Sequence, residues 1–335
     1  MRRLLIIGGT VLVLALIGQA LMRLDASLIW DALRQSRYEL WGVGVLLTLA
    51  GLYTRAYRWH LLLGGQISVR RCFHINNIAY MLNMMIPLRI GELARIALVT
   101  QGEATVTPSY ALAGIVLERL IDLIILLLVL GVALLMLPVA EYISLTSAML
   151  AGIVGGLLLI LLVLAHAPQR VYRVLSWFEV RLTILQILKL EQRFHQFQQG
   201  LQVLTSTHQT LALIGWSLLS WALTFAVGYV LLLAFFGQAT LAVVLFFNAF
   251  ASVAVTTVNA ISYVPSAVGP YQASVVLALQ VIGITEPAGV PLAFAIVLHL
   301  VNFVTVSAMG VMGMISEGLS WLSLWRLRYR SSSTA

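Results

Sequence analysis

The chain has 335 residues, 61% of them hydrophobic and only 10% charged, with a formal net charge of +8. Soluble domains run near 25% charged, so this composition excludes a soluble globular protein and points to several membrane spans. One cysteine excludes an intrachain disulfide, and twenty basic residues scattered between apolar stretches act as topology signals rather than as a nucleic-acid face.

In chain order, Arg2 and Arg3 precede a first apolar span from Leu4 to Met22, longer than the apolar core of a cleaved leader. A second span runs from Leu40 to Leu63. Full spans follow at Tyr110 to Leu137, Leu145 to His166, Leu211 to Phe236 and Pro291 to Ser316. Two other apolar stretches are broken by Pro and Gly at membrane depth. One is Phe73 to Leu88; the other is Leu241 to Val264, continued at Tyr271 to Ile284. Such breaks are tolerated where the backbone is buried in protein or lines a polar cavity. The fold class is therefore all-α and polytopic, with about six full spans plus two re-entrant segments, about eight helices in all. The whole chain, 1–335, reads as one integral membrane domain.

The basic residues orient it. Arg2, Arg3, Arg70, Arg71, the run from Arg170 to Arg193 and the tail Arg326, Arg328 and Arg330 fall on one side, expected to be cytoplasmic with both termini. That requires each broken segment to enter and leave on the same side, the first from the cytoplasm and the second from outside. Residues 168–208 form the one sizeable loop. Its apolar residues from Val171 to Leu188 recur at helical spacing, as in an amphipathic helix on the cytoplasmic leaflet or a helical hairpin packed on the membrane domain. Residues 326–335 form a basic tail expected to be disordered.

The breaks share a pattern. Asn83 leads to Pro87-x-x-x-Gly91-Glu92, and Asn259 leads to Pro265-x-x-x-Gly269-x-x-Gln272; the two prolines lie 178 positions apart. Matched breaks opening to opposite faces are the mark of an inverted repeat with a substrate site between them. Proline removes a donor and glycine permits a tight reversal, so free backbone amides can face an anion. Charged residues at membrane depth are costly, by at least about 2.5 kcal/mol each, and therefore informative. They are Arg55 and Arg58 in the second span, Arg89, Glu92 and Arg95 at the first break, and Glu118, Arg119 and Asp122 beyond it. Five arginines against three carboxylates leave two positive charges for a phosphate or pyrophosphate ligand. The bland reading is that the arginines snorkel to the interface and the ion pairs only hold helices together.

Other polar residues signal less. The six histidines show no metal-ligand spacing, and no metal or cofactor is expected. His299 and Asn302 could line the cavity or pack helices. Gly152, Gly155 and Gly156 read as packing positions, and Trp41, Trp59, Trp216 and Trp221 as interfacial belt residues.

Together, Thr54-Arg55-Ala56-Tyr57-Arg58-Trp59-His60, the Pro87-x-Arg89-x-Gly91-Glu92-x-x-Arg95 element, Glu118-Arg119-x-x-Asp122 and Pro265-x-x-x-Gly269 resemble the lysylphosphatidylglycerol synthase transmembrane, flippase-like family. The resemblance implies a bacterial inner-membrane domain that moves lipid between leaflets, without the soluble domain that makes aminoacylated lipid in full-length synthases. The family's second motif often ends in Glu, where this chain has Gln272, so no second carboxylate for a proton or cation step carries over. The expected function is translocation of an anionic phospholipid or polyprenyl-phosphate-linked lipid, with Arg89, Arg95 and the facing amides on the head group. The alternatives are a non-transporting membrane partner or scaffold, in which a membrane-protein partner or a homo-oligomer would matter, and an integral-membrane glycosyltransferase. The last would draw its base or metal ligands from Glu92, Glu118 and Asp122.

Overall fold

The computed structural model describes residues 26–86, 90–101, 106–137, 190–261 and 268–320, apart from 286 and 288, with isolated positions between 152 and 159. Among them are ten α-helices and one 3-10 turn. They are α1 (Ala26–Gln35), α2 (Tyr38–Leu62), α3 (Val69–Met85), α4 (Gly91–Thr100), α5 (Pro108–Met136), α6 (Leu190–Gly200), α7 (Thr207–Phe236), α8 (Leu241–Ile261), α9 (Pro270–Val281) and α10 (Val290–Ser316).

Local chemistry sets the helix ends. Ser68 caps α3 by accepting from the Arg71 amide, and Thr107 caps α5 by accepting from the Tyr110 amide, with Pro108 directly after it. Gly237 ends α7 with φ at 70°, and Gly269 starts α9 with φ at 89°. Both are backbone conformations that side-chain-bearing residues resist. Three helices, α5, α7 and α10, have 29, 30 and 27 residues and are apolar enough to cross a membrane. At about 1.5 Å per residue each exceeds the roughly 30 Å hydrocarbon layer. The 25-residue α2 is also long enough, but carries Arg55 and Arg58.

The second, third, fifth and sixth full spans expected from sequence, and both broken stretches, thus correspond to observed helices within a few residues. The first span, all but a few positions of the span at 145–166, the amphipathic periodicity of 171–188 and the basic tail lie outside the described residues. The last part of the long loop is described: α6 packs on α5, and Leu201 and Val203 are buried in the same core. Sequence reading missed α1, a short helix whose Leu28 lies against Gly289 at the start of α10.

The packing repeats itself. One set comprises α2, the broken pair α3–α4, and α5; the other comprises α7, the broken pair α8–α9, and α10. The lead helices α2 and α7 pack on each other. Within each set the two halves of the break pack together, and the second half packs on the span that follows. Across the sets, α3 packs on α10 and α8 packs on α5. Each set also centres a core: Trp59, Ile75, Ile78 and Leu117 in one, Leu231, Phe247, Val275 and Phe294 in the other.

Lipid tails are as apolar as leucine, so close van der Waals contact rather than water exclusion joins such helices. The α3–α10 seam shows the means. A Cβ at Gly310 would meet the Asn77 carbonyl at 2.9 Å, and one at Gly313 the His74 carbonyl at 2.8 Å. By contrast, Gly152, Gly155 and Gly156 approach nothing within 4 Å among the described residues. Outward-facing residues such as Leu46, Leu135 and Ile315 are left exposed, as lipid-facing residues are.

Candidate functional site

Arg58 and Asp122 are brought together from α2 and α5. Arg58 donates from Nη1 to Oδ1 of Asp122 at 2.6 Å and from Nη2 to Oδ2 at 3.1 Å, a two-pronged pair. Its Nη2 also donates to Oε1 of Glu118 at 2.8 Å. The spacing of Glu118 and Asp122, four residues apart on a helix, puts both carboxylates on the face that meets Arg58.

The other oxygen of Glu118 reaches the first break. Arg95 of α4 donates from Nη2 to Oε2 of Glu118 at 2.8 Å and from Nη1 to Glu92 at 3.4 Å. Glu92 in turn accepts from Arg119. Arg95 is fully buried, and its guanidinium lies 3.9 Å from the centre of the Trp59 ring. Three arginines and three carboxylates therefore neutralise one another across α2, α4 and α5. Of the two expected surplus cations, one is Arg89, which with Leu88 and Pro87 lies outside the described residues. The other is Arg55.

Arg55 is held differently. It donates from Nε to Ser220 Oγ at 3.4 Å and from Nη2 to Thr224 Oγ1 at 3.1 Å, both on α7. No carboxylate among the described residues pairs with it. It lines a cavity of about 210 Å³ between α2, α7, α8, α9 and α10. Thr48, Asn248, Ser252, Tyr271 and Asn302 give the cavity its polar wall, and Leu52, Phe247 and Leu298 its apolar one. These positions fall near the middle of α2, α7 and α10, hence near mid-membrane. Trp221 joins cavity and network: its ring faces the cavity while its Nε1 donates to Asp122 at 2.9 Å.

The breaks are built alike. The Gly91 amide donates to Oδ1 of Asn83 at 2.8 Å, and the Gly269 amide donates to Oε1 of Gln272 at 2.7 Å. In both, a polar residue just past the break reaches the next long helix 27 positions on: Glu92 to Arg119, and Gln272 to His299 at 2.9 Å. A Cβ at Gly91 would overlap the Ala79 carbonyl, which is why that position is glycine. Pro265 lies outside the described residues. The His299 ring also lies 4.7 Å from the Tyr271 ring, tilted by 52°, so it joins α9 to α10, while Asn302 faces the cavity.

Of the sequence-predicted residues, the structure unites Arg58, Glu92, Arg95, Glu118, Arg119 and Asp122. It sets Arg55 at the cavity, and gives Asn83, Gly91, Gly269 and Gln272 to the break turns. Trp59 and Trp221, read in sequence as belt residues, belong to the interior of the site instead. Ser220, Thr224, Asn248 and Tyr271 were not foreseen. No group of three or more histidine, cysteine or carboxylate side chains suited to a metal occurs among the described residues.

The family model described as "Lysylphosphatidylglycerol synthase TM region" matches residues 4–310. The chain belongs to this family. The matched stretch of the lysylphosphatidylglycerol synthase TM region takes in both breaks, the ion-pair network and every residue lining the cavity. Neither the curated proteins nor the solved structures contain a match. Family and fold together make this a multi-pass membrane protein in lipid-related processes.

Proposed function

We propose that the protein is a lipid translocator, moving an anionic phospholipid or polyprenyl-phosphate-linked lipid between the leaflets of a bacterial inner membrane. The reading rests above all on one observation: a polar cavity beside the second break, near the middle of the long helices, holds Arg55, a cation with no carboxylate partner among the described residues. The head group crosses through this cavity while the acyl tails stay in lipid.

The cross-packing of the two sets supports an inverted repeat with re-entrant breaks, because a two-fold axis would impose the same exchange of partners. Arg71 at the start of α3 pairs with Glu317 just past α10, and the Arg37 amide bonds to Ala234 at the opposite end of the bundle. That grouping agrees with a cytoplasmic side bearing Arg70 and Arg71. All three intramembrane carboxylates are engaged by arginine, which favours a scaffolding role for them over general-base chemistry and so favours a translocator over a transferase.

The test is lipid redistribution in liposomes containing the purified protein and a leaflet-labelled anionic lipid. Redistribution above that in protein-free liposomes is expected, and its absence overturns the reading. Arg89→Ala is expected to slow it; equal rates in wild type and variant would remove the first break from the head-group path.

A further inference from the structure

The two breaks are clasped to the next long helix by different chemistry. Glu92 accepts from Arg119, a guanidinium that stays charged at any physiological pH, whereas Gln272 meets the imidazole of His299 at 2.9 Å. We infer that His299 is a proton-binding site: a proton on its Nδ1 unfastens Gln272 and releases the second break. Its use rests on the translocator reading, in which proton uptake accompanies the opening of that break.

The hydrogen bonds at Gln272 leave one arrangement. The Gly269 amide can only donate, and it does so to Oε1 of Gln272 at 2.7 Å. The carboxamide NH2 therefore points at His299, and Nδ1 accepts from it. The ring is neutral in this state, with its hydrogen on Nε2. A proton on Nδ1 sets two donors against each other. Turning the carboxamide over would satisfy the ring but bring its NH2 against the Gly269 N–H. Either way a donor loses its acceptor, beside a histidine that is only 7% exposed. The bond at stake is also the one that caps the first turn of α9, where Gly269 holds φ at 89°.

The ionisable groups around α10 leave an imidazolium there without a partner. From α9 comes Tyr271, its ring 4.7 Å away, and no acid. From α2 comes Arg55, on the cavity wall that Tyr271 and Asn302 share. Glu39 of α2, Asp31 and Arg34 of α1, and His208 and Tyr229 of α7 are exposed, and α8 has no ionisable residue. On α3, Tyr80 precedes Met81, which meets Gly310, and His74 meets Gly313, fourteen positions or about 21 Å along α10 from His299. Arg70, Arg71 and Cys72 lie beyond His74. With no carboxylate at hand among the described residues, proton and clasp exclude each other. A released imidazole takes a proton near its ordinary value of about 6.5, so the clasp holds above that pH and loosens below it, by up to about thirtyfold at pH about 5.

The experiment is hydrogen–deuterium exchange of the full-length protein in lipid nanodiscs at pH about 8 and about 5, with labelling times scaled to the intrinsic exchange rate. Peptides from Gly269 to Val281 are expected to lose protection by about fivefold or more in acid, while peptides of α7 keep theirs. His299→Gln keeps an acceptor for Gln272 but takes no proton, so its second break should hold equally at both pH values. Gln272→Glu offers the imidazolium a carboxylate, so its protection should hold or rise in acid. Wild-type protection that changes by less than about twofold overturns the proposal. So does acid release retained in His299→Gln, or Gln272→Glu that loosens in acid as wild type does. A parallel loss in α7 marks general loosening and overturns it too. Should His299→Gln not fold, wild type and Gln272→Glu decide alone. Acid release in protein that moves no lipid at either pH refutes the translocator and leaves the proton site standing. Lipid movement without acid release does the reverse.

Discussion

Glu118→Gln isolates the charge at the centre of the network, because the amide keeps the volume and one acceptor oxygen. Glu118 is 3% exposed and serves two arginines, Arg58 through Oε1 and Arg95 through Oε2, each at 2.8 Å. After the change Arg58 still has the two oxygens of Asp122. Arg95 can at best donate to the neutral amide oxygen in place of the carboxylate, its one remaining charged partner is Glu92 at 3.4 Å beside the face of Trp59, and it is 0% exposed. Removing one partner of a buried pair costs about 3–5 kcal/mol, and the surviving Asp122 contact places the loss near about 3 kcal/mol. For a chain of this size, at about 2 °C per kcal/mol, the melting temperature should fall by about 6 °C. The assay is thermal unfolding of the purified protein in detergent. Coupling gives a second reading: Arg95→Met should cost at least about 1 kcal/mol less in the Glu118→Gln background than alone. A fall of less than about 2 °C with additive effects of the two substitutions would refute the claim that Glu118 compensates a buried Arg95.

Three other outcomes follow from packing and exposure. Gly91→Ala must displace the Ala79 carbonyl and the Asn83 side chain, so a loss of about 3 kcal/mol or more is expected, read as little monodisperse protein in size-exclusion chromatography. Gly313→Ala wedges a methyl against the backbone of α3 at His74 and should cost about 1–3 kcal/mol, checked by thermal unfolding. Glu317→Gln breaks only the partly exposed pair with Arg71 and should cost less than about 1 kcal/mol, a change near the error of the same measurement.

Helices and their interruptions were legible in the sequence because each leaves a local trace. Apolar length marks α5, α7 and α10, and Pro-x-x-x-Gly marks both breaks. The carboxylates of α5 were also legible, since a spacing of four on a helix fixes a shared face. What faces what was not. Arg55 and Arg58 are three apart and chemically identical, yet one is neutralised by α5 and the other turns to hydroxyls on α7. That difference depends on how α7 lies along α2, a contact across more than 150 positions that no periodicity encodes. Trp221 was misread for the same reason. A tryptophan inside an apolar run has the same local pattern whether it meets head groups at the membrane surface or an aspartate from another helix. Ser220 and Thr224 gave no signal, because hydroxyls in a membrane helix can bond to their own backbone; Thr224 also does so, to the Ser220 carbonyl.

The exchange of partners between the two sets has a mechanical consequence. At the glycine seam, α3 and α10 touch through backbone, and parting them would open a void that lipid cannot fill. The first break is therefore braced by a strut from the other half of the molecule, and α5 braces the second break through α8 in the same way. A frame braced crosswise does not yield at one corner alone. Tilting either break loads the opposite long helix, so the two breaks behave as ends of one lever rather than as independent hinges.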